Sequence, residues 1–62
     1  MTPDRLRECL TVLWWSQQQL ARVLNKDPRQ VRRWASGEYP MPVETAAWLE
    51  RLARFHERNP PP

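Results

Sequence analysis

The chain has 62 residues, of which 40% are hydrophobic and 27% charged, with four tryptophans, one cysteine and one histidine. That length holds one domain and buries only roughly 60% of the unfolded surface. A lone cysteine excludes an internal disulfide, and with a lone histidine it excludes a tetrahedral zinc site. Apolar packing must therefore hold the fold, and the net charge of +3 is too small for a charge-dominated disordered chain.

Thr2-Pro3-Asp4 reads as a helix start. Threonine caps, proline is preformed for the first turn, and aspartate complements the helix dipole. Leu6, Cys9, Leu10 and Leu13 follow as a narrow apolar stripe, so a first helix is predicted over Pro3–Leu13. Ser16 with Gln19 forms a capping-box pattern, so a second helix starts at Gln17. Leu20, Ala21, Val23 and Leu24 are its predicted buried face, and Asn25 suits a left-handed end. Asp27-Pro28-Arg29-Gln30 signals a third start. Val31, Trp34 and Ala35 form the inner face of that helix, and Gly37 ends it.

Glu38-Tyr39-Pro40-Met41-Pro42 is predicted as a loop, because two prolines spaced by one residue forbid regular structure. Pro42 starts the last helix, whose apolar residues are Val43, Ala46, Trp48, Leu49, Leu52, Ala53 and Phe55. Asn59 stops it. Residues 1–59 form one domain, and Pro60-Pro61-Pro62 is a short polyproline tail. The expected fold is all-α, with four or five helices, no strand and no internal repeat.

The surplus charge is local. Between Ser16 and Gly37 stand Arg22, Lys26, Arg29, Arg32 and Arg33 against Asp27 alone, a net of +4, while the rest of the chain carries −1. Such asymmetry marks a nucleic-acid contact. The longest apolar run, Val12-Leu13-Trp14-Trp15, is far short of the ~20 residues of a membrane span. Asp4 and Glu8 stand where a signal peptide would be basic and then apolar. A cytoplasmic protein with a reduced thiol is expected.

Two short helices joined by a tight turn are the physical content of a helix-turn-helix. Arg29, Arg32 and Arg33, spaced by three and four, cluster on one side of the second of them. Guanidinium groups there can fork onto guanine O6/N7 or hold phosphates. The stretch Ser16-Gln17-Gln18-Gln19-Leu20-Ala21-Arg22-Val23-Leu24 resembles the opening of phage-repressor and Cro-type helix-turn-helix domains. Val31-Arg32-Arg33-Trp34-Ala35-Ser36-Gly37 resembles their recognition helix and its stop.

The resemblance, over Trp15 to Gly37, implies a repressor-like bundle of four or five helices with the third in the major groove. It places Arg29, Arg32 and Arg33 where that family reads bases or backbone, and base reading is the role expected of them here. Gln17, Gln18, Lys26, Gln30 and Ser36 would frame the protein on phosphates. The implied function is that of a sequence-specific regulator of transcription, a repressor that occludes a promoter, encoded by a bacterium or phage. The sequence departs from the family at four places. Asn25 replaces the turn glycine and Lys26 an apolar turn residue. Pro28 replaces a polar base reader, and Trp14 stands where the family often turns with glycine.

Each feature has a plainer reading. The arginines would otherwise be a solvated helix face. Trp15 and Trp34 are read as core rather than base-stacking residues, and Cys9 as core rather than a redox sensor. His56 has no second ligand or nucleophile beside it. Asp4/Glu8 and Glu44/Glu50 are read as solvated faces, with Glu50 and Arg54 at i,i+4 spacing. Nothing assembles a nucleophile, a base and an oxyanion donor, so no enzyme, cofactor, metal or small-molecule ligand is expected.

The apolar arc of the last helix covers about 180°, wider than one small core needs. Either Trp48 and Phe55 cover the first helix and Trp14, or Trp48, Leu52 and Phe55 form a two-fold dimer contact. A homodimer would demand a near-palindromic operator on double-stranded DNA. The competing function is a small protein-interaction adaptor, antitoxin-like or anti-repressor, that uses the same Trp48/Leu52/Phe55 face. A non-specific nucleoid or single-strand binder fits less well, for want of exposed aromatics and Gly-rich basic tails.

Overall fold

The computed structural model describes all 62 residues as four helices and no strand. They are α1 (Pro3–Leu13), α2 (Gln17–Leu24), α3 (Pro28–Ser36) and α4 (Val43–Arg58). The number of helices is the lower of the two expected, and residues 38–42, with Pro40 and Pro42, form the irregular segment that was expected there. Pro42 flanks α4 as its N-cap residue and offers no side-chain cap bond, so the helix proper begins one residue later than predicted.

Three caps set the other helix starts. Thr2 Oγ1 accepts from Arg5 N at 3.1 Å, Ser16 Oγ from Gln19 N at 3.0 Å, and Asp27 Oδ1 from Arg29 N at 2.8 Å. Each satisfies a donor that the first helical turn leaves without a partner.

The ends of α1, α2 and α3 share one device. A left-handed residue follows each helix, Trp14 at φ 61°, Asn25 at φ 55° and Gly37 at φ 84°. The next amide then reaches back five residues: Trp15 N to Leu10 O at 2.9 Å, Lys26 N to Ala21 O at 2.8 Å, Glu38 N to Arg33 O at 3.0 Å. These are Schellman closures. Glycine is the least strained residue at such a point and asparagine tolerates it; a bulky aromatic is a genuine outlier. At Gly37 a side chain would also press on Pro3, with a Cβ at 3.3 Å from its Cγ.

The core draws on every helix. Leu6, Cys9, Leu10 and Leu13 of α1 meet Leu20 and Ala21 of α2, Val31, Trp34 and Ala35 of α3, and Ala46, Leu49 and Ala53 of α4. Met41, from the loop, completes it. No polar or charged residue is fully buried. The closest helix pairs are α2 with α3, α1 with α4 and α1 with α3, so α1 is the shared support. Val23 corrects the predicted face of α2: it is 45% exposed, and Leu24 is only half-buried. An eight-residue helix packed chiefly on α3 has room to bury just one stripe, which Leu20 and Ala21 fill.

Two arginines of α1 pin the bundle. The Arg5 guanidinium forks onto the Glu50 carboxylate of α4, Nε to Oε2 at 2.9 Å and Nη2 to Oε1 at 2.6 Å. Arg7 donates to the Ala35 carbonyl in the last turn of α3 and also pairs with Asp4. A cation on a terminal carbonyl satisfies it and complements the helix dipole. The orientation of α3 is thus tied to α1 by side-chain bonding as well as by packing.

Candidate nucleic-acid interface

The face of α3 opposite the core is basic. Val31, Trp34 and Ala35 are buried at 0%, 4% and 3% exposure, which turns Arg29, Arg32 and Arg33 to solvent. With Ser36 and Glu38 these arginines line one shallow cleft that contains no hydrophobic residue.

The three guanidinium groups differ in their surroundings. Arg29 Nε lies 3.5 Å from Asp27 Oδ1, the carboxylate that caps the helix. The Arg29 amide hydrogen bond, followed by the Arg29 and Arg33 charges, holds the Asp27 carboxyl below its ordinary value. Arg33 lies over the ring of Tyr39, with Cζ 5.7 Å from the centroid. Arg32 has neither an acidic partner nor an aromatic one.

The remaining predicted framing residues are more dispersed. Gln18 and Lys26 are exposed, at the start of α2 and in the turn before α3. Gln17 and Gln30 are half-buried. None of these four lines the arginine cleft, whereas Ser36 does. Its hydroxyl donates to the Arg33 carbonyl at 3.1 Å and accepts from Glu38 N at 3.4 Å, so it also closes the end of α3.

Glu38 and Tyr39, in the predicted loop, are not among the site residues expected from the sequence. The signal was available in Gly37: its left-handed turn sends the chain back, and the amides of Glu38 and Tyr39 both bond to Arg33 O, at 3.0 and 3.3 Å. Two residues beyond the helix are thereby returned to its last turn.

The α4 face divides. Trp48 is half-buried against Trp15, ring centroids 6.4 Å apart, and Leu52 is half-buried against the core. Phe55 is 65% exposed. Trp14, 77% exposed, meets His56 edge-on at 6.2 Å, and His56 Nε2 is buried without a partner. So Trp48 covers Trp15 rather than Trp14, and Phe55 stays largely open to solvent.

No group of three or more His, Cys, Asp or Glu side chains comes together, and no helix is long and apolar enough to cross a membrane. No family model, curated protein or solved structure matches this chain.

Proposed function

We propose that this protein is a sequence-specific double-stranded DNA-binding regulator of transcription that places α3 in the major groove. The observation that carries the reading is the outward arginine face of α3, opposite an inner face of buried Val31, Trp34 and Ala35. α2 and α3, joined by Asn25-Lys26-Asp27, act as a helix-turn-helix. Arg29, Arg32 and Arg33 contact base edges. Gln17, Gln18, Lys26, Gln30 and Ser36 set the frame on phosphates, aided by the N-terminus of α2. Occupancy of a promoter represses without a further domain, and the protein performs no catalysis.

The exposure of Phe55 and Trp14, with Trp48 and Leu52 only half-buried, supports association through α4. A homodimer would place two α3 helices on half-sites of a near-palindromic operator. The same face supports the second reading, an adaptor for another protein.

Selection of bound duplexes from a random pool at near-physiological salt tests the proposal. Recovery of a consensus supports the regulator. Binding without enrichment, erased as salt rises, leaves only phosphate contacts.

A further inference from the structure

The arginine cleft contains a carboxylate that a simple phosphate binder would not have. Glu38 lines it together with Arg29, Arg32, Arg33 and Ser36, and its side chain has no cation within ion-pair distance. Beside it the Tyr39 ring, itself 51% exposed, lies against the Arg33 guanidinium. Both residues are held at the end of α3 by amide bonds to Arg33 O. Neither side chain is needed for the core.

On the reading that α3 enters the major groove, these positions have a specific consequence. A cation–π contact narrows the directions an exposed guanidinium samples, which prepares it for a bidentate contact. Two adjacent acceptors for such a fork, O6 and N7, are found only on guanine. An unpaired carboxylate is repelled by backbone phosphates and is favoured only where it meets a donor. Cytosine N4, the partner of guanine, offers one in the same groove. Adenine N6 is also a donor, but an A·T pair lacks the paired acceptors that the arginine needs.

We propose that the segment after α3 makes this cleft selective for a G·C pair over bare phosphate: Tyr39 positions Arg33 for guanine, and Glu38 accepts from cytosine N4 while opposing non-specific backbone contact. The inference rests on the DNA-binding reading and assigns it two residues outside the helix-turn-helix. Asp27 acts in the same sense on Arg29, by partly neutralising it at the other end of the cleft.

The test uses the full chain and a random-sequence duplex pool, with Glu38→Gln, Tyr39→Leu and Tyr39→Phe alongside the wild type. Wild-type selection is expected to enrich G·C at the position facing the cleft. Glu38→Gln should lower the preference there by about fivefold or more. It should also bind scrambled duplex more tightly, with a steeper salt dependence, because one repulsive charge is gone. Tyr39→Leu should weaken the selected site about two- to fivefold relative to scrambled duplex. Tyr39→Phe, which keeps the ring, should restore it. If the wild type selects a site yet both Glu38→Gln and Tyr39→Leu keep its preferences, this proposal is overturned while the regulator stands. If the wild type selects nothing, the DNA-binding reading falls first, and the proposal with it.

Discussion

Arg5 of α1 and Glu50 of α4 form a two-point ion pair across the bundle, with contacts of 2.9 and 2.6 Å. Both side chains are about three-quarters buried, at 27% and 25% exposure. Arg54 Nε also donates to Glu50 Oε1 at 3.1 Å, and Arg5 also pairs with Glu8. The pair sits beside Cys9, whose Sγ is 3.9 Å from Glu50 Oε2. It fixes the relative slide of the two helices that form one side of the core.

The Arg5 hydrogen bond is the chief reason that the Glu50 carboxyl lies below its ordinary value of 4.5. A depressed folded value means that the unfolded chain binds the proton more readily. Stability from this group is therefore complete above about pH 4.5 and is lost as the pH falls through the folded value. Glu50→Gln should cost about 1–2 kcal/mol at pH 7 and flatten the acid limb of the stability curve. Urea unfolding at pH 7 and pH 3 measures both. An unchanged acid limb in Glu50→Gln would show that the pair does not govern it.

Trp14 in the left-handed region stores strain. Glycine relieves that strain at the loss of an exposed edge contact with His56, so Trp14→Gly should stabilise by about 0.5–1 kcal/mol. For a domain of this size the gain is several degrees in Tm. Trp14→Ala keeps the backbone penalty and should melt below Trp14→Gly; the reverse order would contradict the assignment.

Burial pushes the Cys9 thiol up, against the opposing charge of Arg5. Its 0% exposure leaves no route for a reagent in the folded state. Alkylation by iodoacetamide should proceed only at the rate of opening and reach the free-thiol rate in denaturant. Rapid native labelling would contradict a sealed α1–α4 seam.

Phe55 is largely exposed, so Phe55→Lys should leave the unfolding free energy within about 0.5 kcal/mol of the wild type. If α4 forms the dimer, the same change should shift the protein to monomer in sedimentation equilibrium and weaken a two-half-site duplex far more than a single half-site. Equal effects on both duplexes would move Phe55 out of the dimer contact.

Arg33→Ala should cost about 1–3 kcal/mol on the selected site and relax specificity at one base position. Titration of selected and scrambled duplexes measures it. An equal loss on both would make Arg33 a phosphate contact.

Most of the helix frame was legible because its boundaries are written in local chemistry. Thr2, Ser16 and Asp27 cap where hydroxyl or carboxylate oxygens meet free amides, and Asn25 and Gly37 end helices where φ must be positive. The end of α1 at Leu13 was legible from its apolar stripe, but the left-handed backbone of Trp14 was not, since nothing in an aromatic side chain signals a positive φ. Met41 was hidden by Pro40 and Pro42, which mark a loop but not that its central residue plugs the core. Arg5–Glu50 and Arg7–Ala35 span 45 and 28 residues, beyond any periodic pattern. Within the candidate site the arginines were visible from spacing alone. Their inequality was not, because it depends on how Asp27 and Tyr39 approach from outside α3.

The affinity ratio between a duplex selected from the random pool and its scrambled counterpart, at one near-physiological salt concentration, tests the central claim most directly. A sequence-specific regulator should give a ratio of at least about 1,000, with the selected duplex protected where α3 enters the groove. A ratio near one, falling with salt on both duplexes alike, would contradict sequence-specific reading by α3 and leave the protein-partner role of the Phe55 face.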